Sequence, residues 1–419
     1  MQVAIIGSGV SGLVCAHLLH SRHEVTLYEV DGRPGGHANT VEVDVDGERH
    51  AVDTGFIVYN ERTYPGFVAL LAHLGVATKP SDMSFSVADE RTGLEWRSTS
   101  LSTVFAQRRN LGDPAFLRML ADVARFNRAA RRVAADGVEG DLTLGEFLAS
   151  GRWSRQLLDG YLVPLGSAIW SADPRSFADI PLTTFARFFD NHGLLQLGDR
   201  PRWRTIEGGS ARYVDAILRP LRGRVRCDDG IEKVVRRRPT GTVELRTAVG
   251  DLREFDHVVI ATHSDQALRL LADPTPAERE ILGAIRYQPN RATLHTDRGL
   301  LPRNRRAWAS WNYHRTAADR SQVAVTYSMN RLQGIPSPTP VLVTLNRHDD
   351  IDPARVLDTF EYDHPVLDAA AVRAQGRHGE ISGHEGTSFA GAYWGYGFHE
   401  DGVQSALRVC RALGVEPPW

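Results

Sequence analysis

The chain has 419 residues, of which 42% are hydrophobic and 24% charged, and its formal net charge is −2. This length exceeds what one hydrophobic core organises, so we expect two domains of ordinary globular composition and no disordered or fibrous chain. The balanced charge argues against a nucleic-acid-binding protein, which would carry a strong basic excess.

Three cysteines, Cys15, Cys227 and Cys410, are widely separated and show no metal-ligand spacing. We therefore expect neither a disulfide framework nor a metal site, and a reducing compartment fits. The N-terminus lacks the basic segment of a secretory signal, and no stretch approaches the ~20 apolar residues of a membrane-spanning helix. We expect a cytoplasmic protein, with at most a peripheral contact at the inner face of the membrane.

The chain begins with an apolar run at residues 3–6, which predicts a buried strand, followed by a glycine-rich turn and a helix. Gly7 permits the tight turn, Gly9 lets the backbone approach a pyrophosphate, and Gly12 lets the helix pack close to the strand. The free N–H groups at the start of the helix, near Ser11, attract phosphate. The pattern predicts a dinucleotide-binding βαβ unit.

A second predicted strand, residues 25–28, ends at Glu29, which follows Gly7 by 22 residues. A carboxylate at about this spacing binds a ribose hydroxyl in dinucleotide-binding folds. The spacing therefore strengthens the prediction of a dinucleotide site.

The segment after Glu29 reads Asp31-Gly32-Arg33-Pro34-Gly35-Gly36-His37. It resembles the flavoprotein signature of the amine oxidase and phytoene desaturase superfamily, in which an Arg-x-Gly-Gly-Arg run follows the ribose acid. His37 replaces the second arginine, and a neutral imidazole is a weaker phosphate partner than a guanidinium. A nicotinamide dehydrogenase has no need of this glycine pair, so the resemblance implies FAD.

Two distant segments resemble the same superfamily. Residues 53–56 match its acid-x-Gly segment at the flavin's edge, and residues 388–406 match its closing motif, with Ala392 in place of the usual acid. A helix from about residue 401 would direct its N-terminal amides at the flavin's pyrimidine oxygen. The resemblance implies these cofactor-binding residues: Gly7, Gly9, Ser11, Gly12, Glu29, Val30, Arg33, Gly35, Gly36, His37, Thr54, Gly55, Phe56, Val234, Ala261, Thr262, Gly391, Gly397, Phe398, His399 and Val403.

The flavin segments are discontinuous, which predicts two interleaved domains in an α/β protein. A Rossmann-like FAD-binding domain of the glutathione-reductase and p-hydroxybenzoate-hydroxylase type is expected over 1–78, 205–285 and 383–419. An amine-oxidase-like α+β substrate domain is expected over 79–204 and 286–382. Periodicity in the latter predicts helices over 115–135, 144–149, 153–162 and 183–191, and strands over 292–296, 307–313, 323–329 and 341–346.

Amine oxidation meets two objections in the sequence. Phe398 keeps one of the two rings that many amine oxidases set before the flavin, but the segment upstream of Phe389 supplies no second ring. The family's lysine near the reactive flavin nitrogen aligns with Arg291, whose guanidinium stays charged.

Short segments such as residues 308–313 and 329–333 resemble sequences of a bacterial subgroup of this superfamily. Its members are described as predicted FAD/NAD-binding proteins and are associated with cyclopropane-fatty-acyl synthase-like methyltransferases. This resemblance implies a hydrophobic fatty-acyl or lipid substrate, from whose C–C or allylic position a hydride passes to the flavin. Desaturation is one such reaction. A flavin amine oxidase and a redox-neutral double-bond isomerase remain alternatives.

The candidate catalytic residues are His295, Arg291, Tyr313 and Phe398. A base would take a proton next to the carbon that loses the hydride. His295 is the first candidate for this base, and a structural role for it is equally open. Tyr327 and Tyr393 are lesser candidates beside Tyr313.

Large apolar side chains in the helical half predict a long apolar tunnel that ends at the flavin, with His295 or Arg291 at its reactive edge: Ala168, Ile169, Trp170, Phe185, Phe188, Phe189, Leu194 and Leu195. The helix 115–135 is basic and amphipathic, which is typical of a helix on anionic lipid or of a solvated face. Its arginines are Arg118, Arg125, Arg128, Arg131 and Arg132. We expect the tunnel mouth on this face; the oligomeric state is left open.

Overall fold

A computed structural model describes residues 1–138, 142–196, 198, 201–237, 240–317 and 322–419. The helices are α1 Val10–Leu19, α2 Pro65–Leu74, α3 Leu101–Val104, α4 Pro114–Asp136, α5 Leu144–Ser150, α6 Arg155–Leu157, α7 Val163–Trp170, α8 Leu182–Asn191, α9 Ala211–Leu218, α10 Ser264–Leu270, α11 Pro276–Gly283, α12 Met329–Leu332, α13 Ala369–Gln375 and α14 His399–Ala412. The strands are β1 Gln2–Ile6, β2 Glu24–Tyr28, β3 Thr40–Val45, β4 Glu48–Asp53, β5 Tyr59–Asn60, β6 Thr78–Pro80, β7 Phe85–Asp89, β8 Leu94–Arg97, β9 Trp203–Ile206, β10 Val225–Arg226, β11 Ile231–Arg237, β12 Thr242–Thr247, β13 Leu252–Phe255, β14 His257–Ile260, β15 Tyr287–His295, β16 Trp311–Arg315, β17 Val325–Ser328, β18 Leu342–Leu345, β19 Val356–Pro365 and β20 Thr387–Phe389.

A parallel sheet of order β10-β2-β1-β14-β20 forms the first layer, and its strands come from both ends and the middle of the chain. Its central strands are nearly continuous apolar runs because both faces are covered. Helices α1, α9 and α14 share one core with one face. The other face packs against the antiparallel sheet β11-β12-β13 and helices α10 and α11. This is the Rossmann-like arrangement that the sequence predicted.

A seven-stranded mixed sheet of order β19-β15-β18-β17-β16-β7-β8 forms the second layer. Side chains alternate between its faces, as the strand period requires. One face carries an apolar row across the sheet, namely Leu294, Val343, Tyr327, Trp311 and Phe85. The opposite face carries the polar row Thr293, Thr344, Thr326, Asn312 and Ser86. The apolar row shares a core with helices α4, α5, α7 and α8.

Two parts of this layer differ from the sequence expectations. The predicted helix 153–162 is the first part of a longer helical run that contains a widened turn at Leu158–Leu162 and continues to Trp170. Pro164 has no N–H to give to the preceding turn, which accounts for the widening. The edge strand β19 was missed because its alternating residues are largely polar and half-exposed.

The boundaries of the two domains stay a prediction. In the described parts of the chain, no helix combines the length and apolar character needed to cross a membrane.

Candidate active site

The turn between β1 and α1 is shaped by glycine. Gly7 has φ +98°, a conformation that side chains rarely tolerate, and its N–H donates to the Tyr28 carbonyl at 2.9 Å. A Cβ on Gly12 would lie 1.9 Å from the Gly7 carbonyl oxygen, so α1 rests directly on the turn. No described residue, apart from chain neighbours, comes within 4 Å of where a Gly9 Cβ would stand. This open space beside the start of α1 fits a pyrophosphate.

Glu29 ties this turn to the next loop. Its carboxylate accepts the Ser8 N–H at 2.9 Å and the Ser8 hydroxyl at 2.5 Å, and its other oxygen accepts the Asp31 N–H at 3.1 Å. An ionised carboxylate has about four acceptor sites. Glu29 therefore keeps capacity for a ribose hydroxyl while it holds the turn.

The paired glycines lie against the phosphate turn. Gly35 has φ +120° and donates its N–H to Ser8, and a Cβ on Gly36 would stand 3.2 Å from Gly9 Cα. Arg33 reaches back and donates to the Gly36 carbonyl at 2.9 Å. Arg33 therefore fixes the loop's backbone, a role that the sequence did not suggest.

The N-terminal ends of α1 and α14 meet beside this turn. The Ser11 hydroxyl donates to the Gly402 carbonyl at 3.0 Å, and a Cβ on Gly402 would stand 2.5 Å from Val10. Gly391 donates its N–H to Ser405 at 3.1 Å, while Val403 is fully buried. Each helix N-terminus carries a partial positive charge, so the junction suits an anionic cofactor group.

The segment 53–56 returns to the same place. Buried Asp53 accepts hydrogen bonds from Thr40, Ser210 and Gln333, and burial raises its pKa to about 6. A Cβ on Gly55 would lie 2.3 Å from the His37 carbonyl oxygen. This network pins the segment beside the glycine loop.

Two aromatic rings stack where 53–56 meets the start of α14. The rings of Phe56 and His399 lie 3.5 Å apart at 11°, and the Tyr213 hydroxyl is 3.1 Å from His399 Nε2. Burial lowers the pKa of His399 to about 3, so its imidazole is neutral at physiological pH.

Three half-buried imidazoles cluster between the two layers. His37 lies 5.4 Å from His364 and 6.2 Å from His263, measured between ring centroids, and 4.9 Å from Tyr362. Burial, with repulsion from His364 and His263, holds the pKa of His37 well below its usual range. Burial also lowers the pKa of His364 to about 4. His37 is thus an uncharged substitute for the family's arginine.

Sequence reasoning missed four residues of this region: Asn290, His263, Tyr362 and His364. Tyr362 binds Thr54 at 2.8 Å through its hydroxyl and accepts from Asn39 at 3.0 Å, so β19 contacts the flavin segments directly. Asn290 Nδ2 donates to His364 Nδ1 at 3.1 Å. A recognisable strand at 356–365 would have revealed the alternation that turns Tyr362 and His364 to one side.

Arg291 and His295, which the sequence predicts at the flavin's reactive edge, lie on the face of the sheet opposite to Asn290. Arg291 follows Asn290 in β15, so strand alternation turns its side chain away. It donates to Glu361 at 2.7 Å, and the two side chains are 51% and 59% exposed.

His295 is completely buried, and both its ring nitrogens are in use. Nδ1 accepts the Asp297 N–H at 3.1 Å, so Nε2 carries the proton and donates to the Thr344 hydroxyl at 2.7 Å. Burial lowers its pKa to about 4. This geometry is that of a structural histidine.

The tyrosine candidates lie within cores. Tyr313 packs on the apolar face of the mixed sheet, and burial raises its pKa to about 12. Tyr327 shares that core, and Tyr393 is buried near α10 and α11. Burial raises the pKa of both.

The remaining predicted cofactor residues differ in their contacts and in their exposure to solvent. Ala261 and Thr262 pack on Gly7, whereas the side chain of Val30 is 71% exposed. Val234 is buried, and its carbonyl accepts the Ala272 N–H at 3.0 Å.

A cleft of about 580 Å³ opens at the start of α14, lined by Arg62, Thr63, Tyr64, Pro65, Asp190, Asn191, His192, Tyr396, Phe398, Glu400, Asp401 and Gln404. Rings form one wall: Phe188, behind Phe398, lies 5.2 Å from it and 3.9 Å from His192 between centroids. Gly397, at φ +91°, sets the turn that presents Phe398.

Carboxylates form the facing wall. Glu400 accepts the N–H groups of Gly66 and Phe67 at 3.0 and 2.9 Å, and Asp401 accepts the Phe398 N–H at 2.9 Å. Burial raises the pKa of Asp401 to about 6 and also raises that of Glu400. Both acids therefore cap helices.

The cleft differs from the long apolar tunnel that the sequence predicted. Most of the side chains expected to line it are buried against one another; Phe185 and Phe189, for example, stack at 4.0 Å. The cleft's lining includes none of the arginines of α4. These rings pack against one another in the core, and composition alone does not predict that packing.

Together the glycine turn, the ribose acid, the two helix ends and the sheet that faces them define an FAD-dependent oxidoreductase. The model of the family "Flavin containing amine oxidoreductase" matches residues 10–317, and the chain belongs to this family. It is therefore a flavin-containing enzyme with FAD as its cofactor.

Solved structures share the fold over their whole length. A cyclohexylamine oxidase from Brevibacterium oxydans IH-35A has a TM-score of 0.71 and 16% identity, with 99% of each chain covered. A CLA-producing fatty acid isomerase from P. acnes has a TM-score of 0.69 and 17% identity, covering 98% of this chain and 97% of its own. A putrescine oxidase bound to putrescine has a TM-score of 0.70 and 14% identity, with 99% of each covered. No curated protein matches the chain significantly.

Proposed function

We propose that the enzyme removes a hydride from carbon in a fatty-acyl or other lipid substrate, with FAD as the acceptor. The observation that carries this proposal is the aromatic wall of the cleft, which Phe398 and Tyr396 form. Phe188 and Trp170 are buried behind this wall, with Phe188 5.2 Å from Phe398 and 4.5 Å from Trp170 between ring centroids, so packing fixes the position of Phe398. An alkyl chain on such a wall gains roughly 0.8 kcal/mol per buried methylene.

FAD supplies a two-electron acceptor when bound. The substrate carbon loses a hydride, its neighbour loses a proton to water, and a double bond forms between them. The protein orients the chain along Phe398, and the imidazole of His192, 6.1 Å from that ring between centroids, is neutral because burial lowers its pKa to about 4. Asn290 Nδ2 donates to His364 Nδ1, so His364 Nε2 carries a proton and acts only as a donor.

Amine oxidation is the second candidate, and the acidic wall favours it. Asp190, Glu400 and Asp401 face the rings of Tyr396 and Phe398, and carboxylates beside aromatic rings attract cations. A polar, acid-lined cleft would by itself suit an amine better than an acyl chain. We place this candidate second because Glu400 and Asp401 already accept backbone N–H groups and cap helices.

Anaerobic flavin reduction separates the candidates. The FAD-loaded enzyme is mixed with octadecenoyl lipids or with an amine panel containing putrescine and cyclohexylamine, and loss of visible flavin absorption is followed. We expect bleaching by the lipid and a product lighter by two hydrogens in mass spectrometry. Bleaching by amines alone would refute the proposal, and a lipid product of unchanged mass would indicate isomerisation.

The variant Arg291→Ala serves as the control for this experiment. Its side chain is exposed and lies on the far face of the sheet, so it should bleach at the wild-type rate.

A further inference from the structure

Three strongly exposed leucines lie close together in the chain. Leu101, Leu111 and Leu117 are 79%, 56% and 43% exposed. Large apolar side chains on a soluble surface normally occur singly. We call these three residues the leucine patch.

The leucine patch stands on an ordered support. The rings of Phe105 and Phe116 lie 5.7 Å apart, joining the end of α3 to the first turn of α4. Arg108 donates to the Phe105 carbonyl, and Asp113 caps α4 through the Ala115 N–H at 2.9 Å. The exposure of the leucines is therefore built into the fold.

Arginines neighbour the leucine patch in sequence and continue along α4. Residues 101–136 contain seven arginines and three aspartates in a chain of net charge −2. Asp122 is buried and paired with Arg118 and Arg125, each at 3.3 Å. Arg128, Arg131 and Arg132 are exposed on the solvent side of the helix. The surface presents apolar side chains within a positive field.

We propose that this surface docks on a bilayer that contains anionic lipid. Leucines enter the boundary between headgroups and acyl chains while arginines contact lipid phosphates. This inference rests on the proposed function, because a lipid substrate gives membrane docking its purpose. Helix α4 packs on α8, and the end of α8, at Asp190 and Asn191, lines the cleft. A docked enzyme would thus sit beside a store of acyl chains.

Vesicle binding tests this surface without turnover. The FAD-loaded enzyme is sedimented with phosphatidylcholine vesicles, with or without phosphatidylglycerol. We expect binding only to the anionic vesicles, weakened by salt. The triple variant L101S/L111S/L117S should bind at least tenfold more weakly. The triple variant R128E/R131E/R132E should lose about fivefold or more per arginine.

The matched control is V249S/L252S/L357S, which removes three exposed apolar side chains elsewhere (76%, 63% and 39% exposed). It should bind like wild type. Failure of wild type to bind anionic vesicles at low salt would overturn the proposal. An equal loss of binding in L101S/L111S/L117S and in the control V249S/L252S/L357S would also overturn it. A dimer in sedimentation velocity that L101S/L111S/L117S disrupts would assign the patch to a second copy and also overturn it. Vesicle sedimentation measures binding and not turnover, so its result is independent of the flavin-reduction experiment that tests the proposed function.

Discussion

Replacing Gly9 with valine separates cofactor binding from folding. Gly9 has φ −62°, which valine adopts, and no described residue beyond its chain neighbours lies within 4 Å of the new Cβ. The apoprotein should therefore fold with nearly wild-type stability. The side chain would instead occupy the space we assign to the pyrophosphate. Overpacking of this kind costs about 1 to 3 kcal/mol, or about 5- to 150-fold in the Kd for FAD.

Gly12→Ala is the contrasting variant. Its Cβ would stand 1.9 Å from the Gly7 carbonyl oxygen, so the apoprotein itself must distort. We expect urea unfolding of apoprotein to show a loss for Gly12→Ala and little change for Gly9→Val, while FAD titration shows weakened binding for both. Wild-type FAD affinity in Gly9→Val, or an equal loss of apoprotein stability in both variants, would refute the assignment of this space.

Three further predictions concern side chains and pH. Phe398→Ala should retain FAD but slow flavin reduction by substrate about fivefold, since a ring contact is worth ~1 kcal/mol; an unchanged rate, or lost FAD, would contradict it. His295→Leu should cost about 1 to 3 kcal/mol of unfolding free energy, because it leaves the Asp297 N–H without its partner and the Thr344 hydroxyl with Thr326 alone, and it should leave the reduction rate intact; a large rate loss at unchanged stability would make His295 a base. His192 and His364, which are half-buried, and His295 and His399, which are buried, have pKa values of about 4, 4, 4 and 3, below the ordinary 6.5, so their contribution to the free energy of unfolding is complete above pH 6.5 and is lost as pH falls toward 4. Urea unfolding at pH 5.5 should show a decrease of about 1 kcal/mol per histidine relative to pH 7.5, partly offset by Asp53 and Asp401, whose raised pKa values act in the opposite sense; constant stability would contradict it.

The flavin half was predictable because its constraints are local. Gly7, Gly12 and Glu29 act through turn geometry and spacing that any βαβ unit imposes, and the sequence displays both. The closing motif at Phe398 was recognised through its resemblance to the family's motif. The observed turn and the two helix starts follow directly from these residues.

The substrate half was less predictable because its side chains depend on strand register. Moving by one residue along β15 turns a side chain to the opposite face, so the direction in which Arg291 points depends on a register that the sequence does not display. The polar edge strand β19 gave no hydrophobic signal, so Tyr362 and His364 were missed. The side chains expected to line the tunnel are packed against one another for a different reason: composition cannot tell a ring that lines a cavity from one that fills a core.

The contact between Ser11 and Gly402 joins residues 391 positions apart in sequence. During synthesis α1 leaves the ribosome long before α14 is translated, so the phosphate-binding turn initially lacks the contact from α14. The flavin pocket closes only when α14 has been translated and has packed on α1. We therefore expect FAD to bind late in folding, and we expect a C-terminally truncated chain to leave the nucleotide site incomplete and open to proteolysis.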